Sequence, residues 1–395
     1  MLTERASRVS PSSLVNLNAR IAQRIREGAS IIKLNIGEPD FPTPDHIKEA
    51  AKAAIDANFT RYTPTPGTLE LREIICSRLK EDFGVSYSPS EITVATGAKQ
   101  ALFEAVMALT EEGDEMLIPI PCWVSYEEMA KIAGAAPVLV PTASEEGRRY
   151  HLDLDAIEAA VTERTTCIMI NTPNNPTGVI YTREELEGLA ALAERHNLWI
   201  ISDEVYEKLK YHGSEFVSMA EIAPERTVVV NGCSKAYAMT GWRVGYAAAP
   251  AAVSKAIQGI QGHVTSGINA ISQKAACAAL GGDQRPVEEM RIQFERRLEM
   301  MNRRMQQIPG IACDVPDGAF YLMPNISSYF GCACGDRVIR DSRDMADYLL
   351  EEAQVAVVPG DAFHSPGTLR ISYANSMENL EEGMRRLEQA LKALQ

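Results

Sequence analysis

The chain has 395 residues, 46% hydrophobic and 23% charged, enough to bury a sizeable core in two structural domains or in one large domain with a smaller companion. Its formal net charge of −14 argues against a nucleic-acid partner, because neutralising phosphates requires a basic patch. Met1–Ser10 lacks the apolar stretch of a signal peptide, and no apolar run reaches the ~18 residues of a membrane span. The scattered cysteines and histidines offer no zinc spacing, so a cytoplasmic protein with reduced thiols, no membrane contact and no metal is expected.

In chain order, Ser12–Glu27 has amphipathic helical spacing, Ile31–Ile36 reads as a short strand, and the segment Glu38–Pro44 is rich in proline. Apolar runs at Ile92–Ala95, Met116–Ile120, Thr166–Ile170, Leu198–Ile201 and Thr227–Val230 predict buried parallel strands, with Tyr246–Ala249 a further candidate. Helical patterns at Ala98–Leu109, Tyr126–Ile132, Leu154–Val161 and Arg183–His196 separate them. This alternation implies an α/β fold, a mostly parallel central sheet with helices on both faces. Beyond Pro286 come a long charged helix, Glu288–Gln307, then short strands near Ala319–Met323, Val355–Val358 and Leu369–Tyr373, and an amphipathic helix, Glu378–Leu394. The expected division is a large domain of 45–280, with 1–44 and 281–395 forming an N-terminal arm and a smaller α+β domain.

Open α/β sheets bind ligands beyond the carboxyl ends of their strands, and there the sequence is chemically loaded. Thr96-Gly97-Ala98-Lys99 opens a helix whose free N–H groups suit an anion, although a lone glycine turn is weak evidence and no G-x-G-x-x-G accompanies it. Trp123 offers an aromatic plate, and Asn175, in a turn of prolines and glycine, an amide donor. Asp203 and Tyr206 follow the next strand, and Ser234-Lys235 and Arg243 the one after. Each residue alone has a bland explanation: core tryptophan, turn asparagine, helix-capping aspartate, solvated lysine. Together they supply what pyridoxal 5′-phosphate requires, namely an anion site, a stacking face, a carboxylate for the pyridinium and an amine for the aldehyde.

The segments Asn174-Asn175-Pro176-Thr177-Gly178, Ser202-Asp203-Glu204-Val205-Tyr206, Ser234-Lys235 and Gly241-Trp242-Arg243-Val244-Gly245 resemble the class I/II aminotransferases of pyridoxal-phosphate fold type I. Ile36-Gly37-Glu38-Pro39-Asp40-Phe41 and Trp123-Val124-Ser125-Tyr126 resemble most closely the bacterial aspartate aminotransferase subgroup, which includes prephenate and aromatic aminotransferases. The resemblance implies that Lys235 holds the cofactor as a Schiff base and shuttles a proton, while Asp203 binds the pyridinium nitrogen. It implies that Tyr206 and Asn175 bond the 3′ oxygen, that Trp123 stacks on the ring, and that Ser234, Arg243 and the backbone of Gly97, Ala98 and Lys99 hold the phosphate. It further implies a homodimer with shared active sites, in which Tyr62 reaches the phosphate of the second subunit. Arg370 and Gly37 match the positions that meet the substrate α-carboxylate, and Trp123 and Asn175 also line the substrate space.

Lys99 matches a lysine that binds the distal carboxylate of acidic substrates, which implies transamination between aspartate and 2-oxoglutarate. Leu14, with Ser13 beside it, stands where the family has an assisting threonine, and a leucine there favours apolar side chains. Aromatic, prephenate or broad-specificity transamination therefore remains open, as does a β-eliminating lyase that shares the lysine and the aspartate. A regulator built on the same fold would need a DNA-binding domain, for which the sequence holds no basic helix-turn-helix candidate.

Overall fold

The computed structural model describes residues 13–145 and 148–394, together with Thr3, Ala6, Ser7 and Val9; the side chains of Ser13 and Leu14 lie outside the described set. The central sheet has seven strands: β1 (Ile92–Thr96), β2 (Glu115–Ile120), β3 (Ala136–Pro141), β4 (Thr165–Asn171), β5 (Trp199–Asp203), β6 (Thr227–Gly232) and β7 (Val244–Ala248). Their spatial order is β1-β7-β6-β5-β4-β2-β3. All pairings are parallel except those of β7, which runs antiparallel to both β1 and β6.

Alternate side chains of these strands enter two separate apolar layers, as the pleat of a sheet covered on both faces requires. Met116, Ile118, Met169, Ile201, Val228 and Val230 pack with the helices Ala98–Leu109 and Ser125–Ala133. On the opposite face, Leu117, Ile168, Ile170 and Ile200 pack against Leu186, Leu189 and Leu192 of the helix Arg183–Arg195. That helix starts with a capping box: Thr182 Oγ1 accepts from Glu185 N at 3.3 Å, and the Glu185 carboxylate accepts from Thr182 N at 2.7 Å. Truncating one fully buried strand residue such as Ile118 to alanine would cost about 2–5 kcal/mol.

The edge strand β3 carries no sequence expectation, and its composition explains why. Pro137 and Pro141 bracket its apolar Val138-Leu139-Val140 and argue against a central strand, and its burial is mostly partial, as at a sheet edge. Most remaining expected boundaries shift by a residue or two, but the long helix starts three residues early at Arg285. The expected strand Val355–Val358 splits into Val355–Ala356 and Val358–Pro359, and the first strand shortens to Ile32–Lys33, which pairs in parallel with Val355–Ala356. A separate apolar cluster gathers residues of the helices Arg285–Met305, Ser342–Glu352 and Met377–Lys392 with Leu34, Tyr206 and Tyr321. Its small sheet sets Leu369–Ser372 between Tyr321–Leu322 and Val358–Pro359. The seam between this cluster and the carboxyl ends of β1, β4, β5 and β6 is where the functional residues meet.

Candidate active site

At the seam lies a cleft of about 420 Å3 lined by Gly37, Ala98, Lys99, Trp123, Asn175, Asp203, Tyr206, Ser234, Lys235, Arg243 and Arg370. Residues that the sequence scatters from position 37 to position 370 therefore share one space. Two expectations fall elsewhere: Gly97 sits just behind the lining, and Tyr62 points away from this chain, fully exposed at 100%. The expectation on Ser13 and Leu14 falls outside the described residues.

The anion end is built by glycines. Gly97 caps the helix Ala98–Leu109 with φ +80°, and the first N–H groups of that helix have no partner within it. A Cβ on Gly97 would come within 2.2 Å of the Arg243 guanidinium, and one on Gly245 within 2.1 Å of Ala98 N. Hydrogen at both positions lets the helix start, the sheet and the arginine close on one point. Arg243 donates to the main-chain oxygens of Thr240 at 2.9 Å and Thr96 at 3.4 Å, which fixes its fork beside the helix start.

Asp203 ends β5 and is 4% exposed. Its carboxylate accepts from Tyr126 Oη at 2.7 Å and from Val205 N at 3.3 Å. Burial nevertheless pushes its pKa up to about 6, with the Tyr126 bond, the Val205 N–H and the Lys235 charge pulling the other way. Such a carboxylate lacks a strong cationic partner, which a pyridinium nitrogen would provide. Asn171 braces the strand end, donating to Asp203 O at 2.8 Å and accepting from Asn175 N at 2.7 Å.

Lys235 follows β6, and its amine donates to the main-chain oxygen of Gly37 at 2.6 Å. Burial lowers its pKa to about 8, the nearby cations Arg370 and Arg243 acting in the same sense and Glu38 and Asp203 opposing them. A lysine so placed has an appreciable neutral fraction, the form that attacks a carbonyl.

Arg370, 2% exposed, donates to Asn175 Oδ1 at 2.9 Å and to Asn35 O at 3.1 Å, while its Nε has no partner among the described residues. Asn175 spends its oxygen on the arginine, which leaves its amide N–H free to donate into the cleft. Lys99 Nζ lies 4.6 Å from the centre of the Trp123 ring, and burial lowers its pKa, with Arg243 adding to the effect. Sequence reasoning gave no role to Tyr126, Asn171, Asn35 or Tyr321, because each acts through a contact remote in the chain. Only Tyr126 carried a signal, standing in the Trp123-Val124-Ser125-Tyr126 segment.

The donor set fits pyridoxal phosphate: unpaired N–H groups and an arginine at one end, a buried carboxylate in need of a cation, and a lysine able to lose its proton. Among the described residues there is no group of three or more His, Cys, Asp or Glu able to hold a metal, and no helix is long and apolar enough to cross a membrane.

Known proteins resemble the chain over its whole length. The family described as aminotransferase class I and II matches residues 29–387. The aspartate aminotransferase of Geobacillus stearothermophilus is 42% identical, covering 99% of each chain, and the probable aspartate/prephenate aminotransferase of Aquifex aeolicus is 42% identical over 100% of this chain and 99% of its own. Among solved structures, the aspartate aminotransferase of Rhizobium meliloti superposes with a TM-score of 0.96 at 40% identity over the whole of both chains. That of Thermus thermophilus with maleate gives 0.93 at 39% identity over 99% of each. With its α/β architecture, its sheet-end cleft and this full-length likeness, the chain belongs to the class I and II aminotransferases, pyridoxal-phosphate enzymes of fold type I.

Proposed function

We propose that the protein transfers the amino group of an L-amino acid to 2-oxoglutarate, with aspartate as its preferred donor. The observation that carries this reading is a buried lysine with depressed pKa, set in one cleft with a buried aspartate and a buried, half-satisfied arginine. Bound pyridoxal phosphate supplies the electron sink that lets the Cα–H bond of the amino acid ionise. Asp203 would keep the ring nitrogen protonated, while Tyr206 and the Asn175 amide would donate to the 3′ oxygen. Ser234, Arg243 and the backbone of Gly97, Ala98 and Lys99 would hold the phosphate, and Trp123 would offer a stacking face to the ring. Lys235 is the amine that would hold the cofactor's aldehyde, and it would serve as the proton carrier at Cα of the substrate. Arg370, a cleft-lining guanidinium held by Asn175 and Asn35, would grip the α-carboxylate beside Gly37.

Lys99 supplies the cation for a distal carboxylate, which supports the acidic donor. The names of relatives point the same way: aspartate for several and prephenate for some, and a solved relative holds the dicarboxylate maleate.

A homodimer with shared sites fits Tyr62, whose bare phenol would reach the partner's phosphate pocket. The separate apolar cluster formed with the terminal segments supports a large domain of 45–280 and a smaller one from both ends. Eight free cysteines suit a reducing cytoplasm.

The test follows absorbance of the cofactor-loaded protein through half-reactions with aspartate, glutamate, tyrosine, alanine and a β-substituted amino acid. Aspartate should convert fastest, giving oxaloacetate without ammonia. Release of ammonia and pyruvate from the β-substituted substrate as the dominant reaction would make the protein a lyase instead.

A further inference from the structure

Tyr321 has no part in the roles assigned so far, yet it touches three of the residues that carry them. Its hydroxyl lies 2.9 Å from Tyr206 Oη, and its ring centre lies 4.5 Å from the Arg370 guanidinium carbon. The same hydroxyl would stand 3.1 Å from a Cβ at Gly37, the residue whose carbonyl accepts from Lys235. The side chain is 1% exposed, tilted against Phe320, with its backbone paired to Ser372 and its neighbour Leu322 paired to Ile371, the two positions that follow Arg370 on its strand. A residue that only filled this space would need no hydroxyl. Phenylalanine would keep the aromatic contacts at lower desolvation cost.

We propose that Tyr321 is a positioning residue with two faces: its hydroxyl sets the donor strength of Tyr206, and its ring seats Arg370. The inference rests on the reading of Tyr206 as a ligand of the cofactor's 3′ oxygen. Once Tyr206 gives its only proton to that oxygen, the Tyr206–Tyr321 hydrogen bond can run in one direction alone, from Tyr321 Oη–H to Tyr206 Oη. A donor that itself accepts a hydrogen bond is polarised into a stronger donor. The guanidinium above the Tyr321 ring draws electron density from it and adds to the effect. A single side chain thus links the residue that seats the substrate carboxylate with one that tunes the cofactor. Its backbone belongs to the sheet that carries Arg370, so the two stay in register.

The experiment titrates the visible absorbance of the cofactor-loaded wild type, Tyr321→Phe, Tyr206→Phe and the double variant against pH, and measures KM and kcat for aspartate. Weaker donation to the 3′ oxygen lets that oxygen hold the proton of the lysine-bound cofactor more tightly. Tyr321→Phe should therefore move the titration midpoint up by about half a pH unit while leaving KM within about twofold. The double variant should move it no further than Tyr206→Phe alone, because the hydroxyl acts through Tyr206. Tyr321→Leu, which also removes the ring, should raise KM for aspartate by about tenfold. A wild-type midpoint in Tyr321→Phe, or an additive shift in the double variant, overturns the proposal. If Tyr206→Phe itself leaves the midpoint unmoved, the underlying cofactor reading has failed, and this inference fails with it.

Discussion

The amine of Lys235 is tethered to the main-chain oxygen of Gly37, 198 residues earlier in the chain, at 2.6 Å. The bond keeps the amine at the mouth of the cleft while burial depresses its pKa to about 8. At pH 7 about one lysine in ten is then neutral, against roughly one in three thousand for an ordinary lysine. The rate at which cofactor-free protein captures pyridoxal phosphate should accordingly rise with pH through a midpoint near 8 and level off above it. Stopped-flow absorbance measures it, with Lys235→Ala as the blank. A rate still climbing toward pH 10 would mean that the amine is not desolvated as described.

Asp203 makes the opposite demand on stability in the empty and loaded protein. Its pKa in the fold, about 6, lies above the ordinary carboxylate value of 3.8, so the folded protein binds the extra proton. The stability contributed by this group is present below about pH 4 and is lost as pH rises toward 6. Asp203→Asn should therefore raise the stability of the cofactor-free protein at neutral pH by about 1–3 kcal/mol while weakening cofactor retention. Thermal melts of both forms, with and without pyridoxal phosphate, decide it. A variant that melts lower in both states would contradict the account.

The glycine at 97 is required twice, by its φ of +80° and by the guanidinium that fills the space of a side chain. Gly97→Ala should loosen cofactor binding by about tenfold or more, chiefly through a faster off-rate, since the arginine has to swing off the helix start. Dialysis against phosphate buffer gives the readout. Unchanged retention would show that Arg243 does not share the anion with that turn.

Lys99 is expected to act on one substrate class. Lys99→Ala should raise KM for aspartate by about tenfold or more and leave that for phenylalanine within about twofold. Equal changes for the two amino acids would take Lys99 out of side-chain selection.

Much of this was legible in the sequence, for reasons that differ by element. β1, β2, β4, β5 and β6 are buried on both sides, so their apolar runs are continuous and their ends expose the residues that matter. The helices Ala251–Val264 and Ala270–Gly281 carry so much alanine and so few charges that no polar face marks their period. Tyr321 stayed silent, and Tyr126 showed only as a member of a motif with no role of its own, because their partners, Tyr206 and Asp203, lie 115 and 77 positions away. The tether of Asn175 to Arg370 spans 195 positions, so the double use of its amide emerges only in three dimensions.

The reversed course of β7 has a consequence for how the cleft is dimensioned. In a uniformly parallel sheet every strand would begin at the far edge, and a crossover helix would intervene between one rim residue and the next. Because β7 begins at the rim, Val244 lying beside Thr96 and Gly245 beside Gly232, the chain passes from Lys235 to Arg243 without leaving the mouth. Lys235 and Arg243, the groups proposed to meet the aldehyde and the phosphate, thus sit at the two ends of one short bridge between neighbouring strands. Loop insertions elsewhere can reshape the entrance, but any lengthening of this bridge would change the span that the cofactor has to fill.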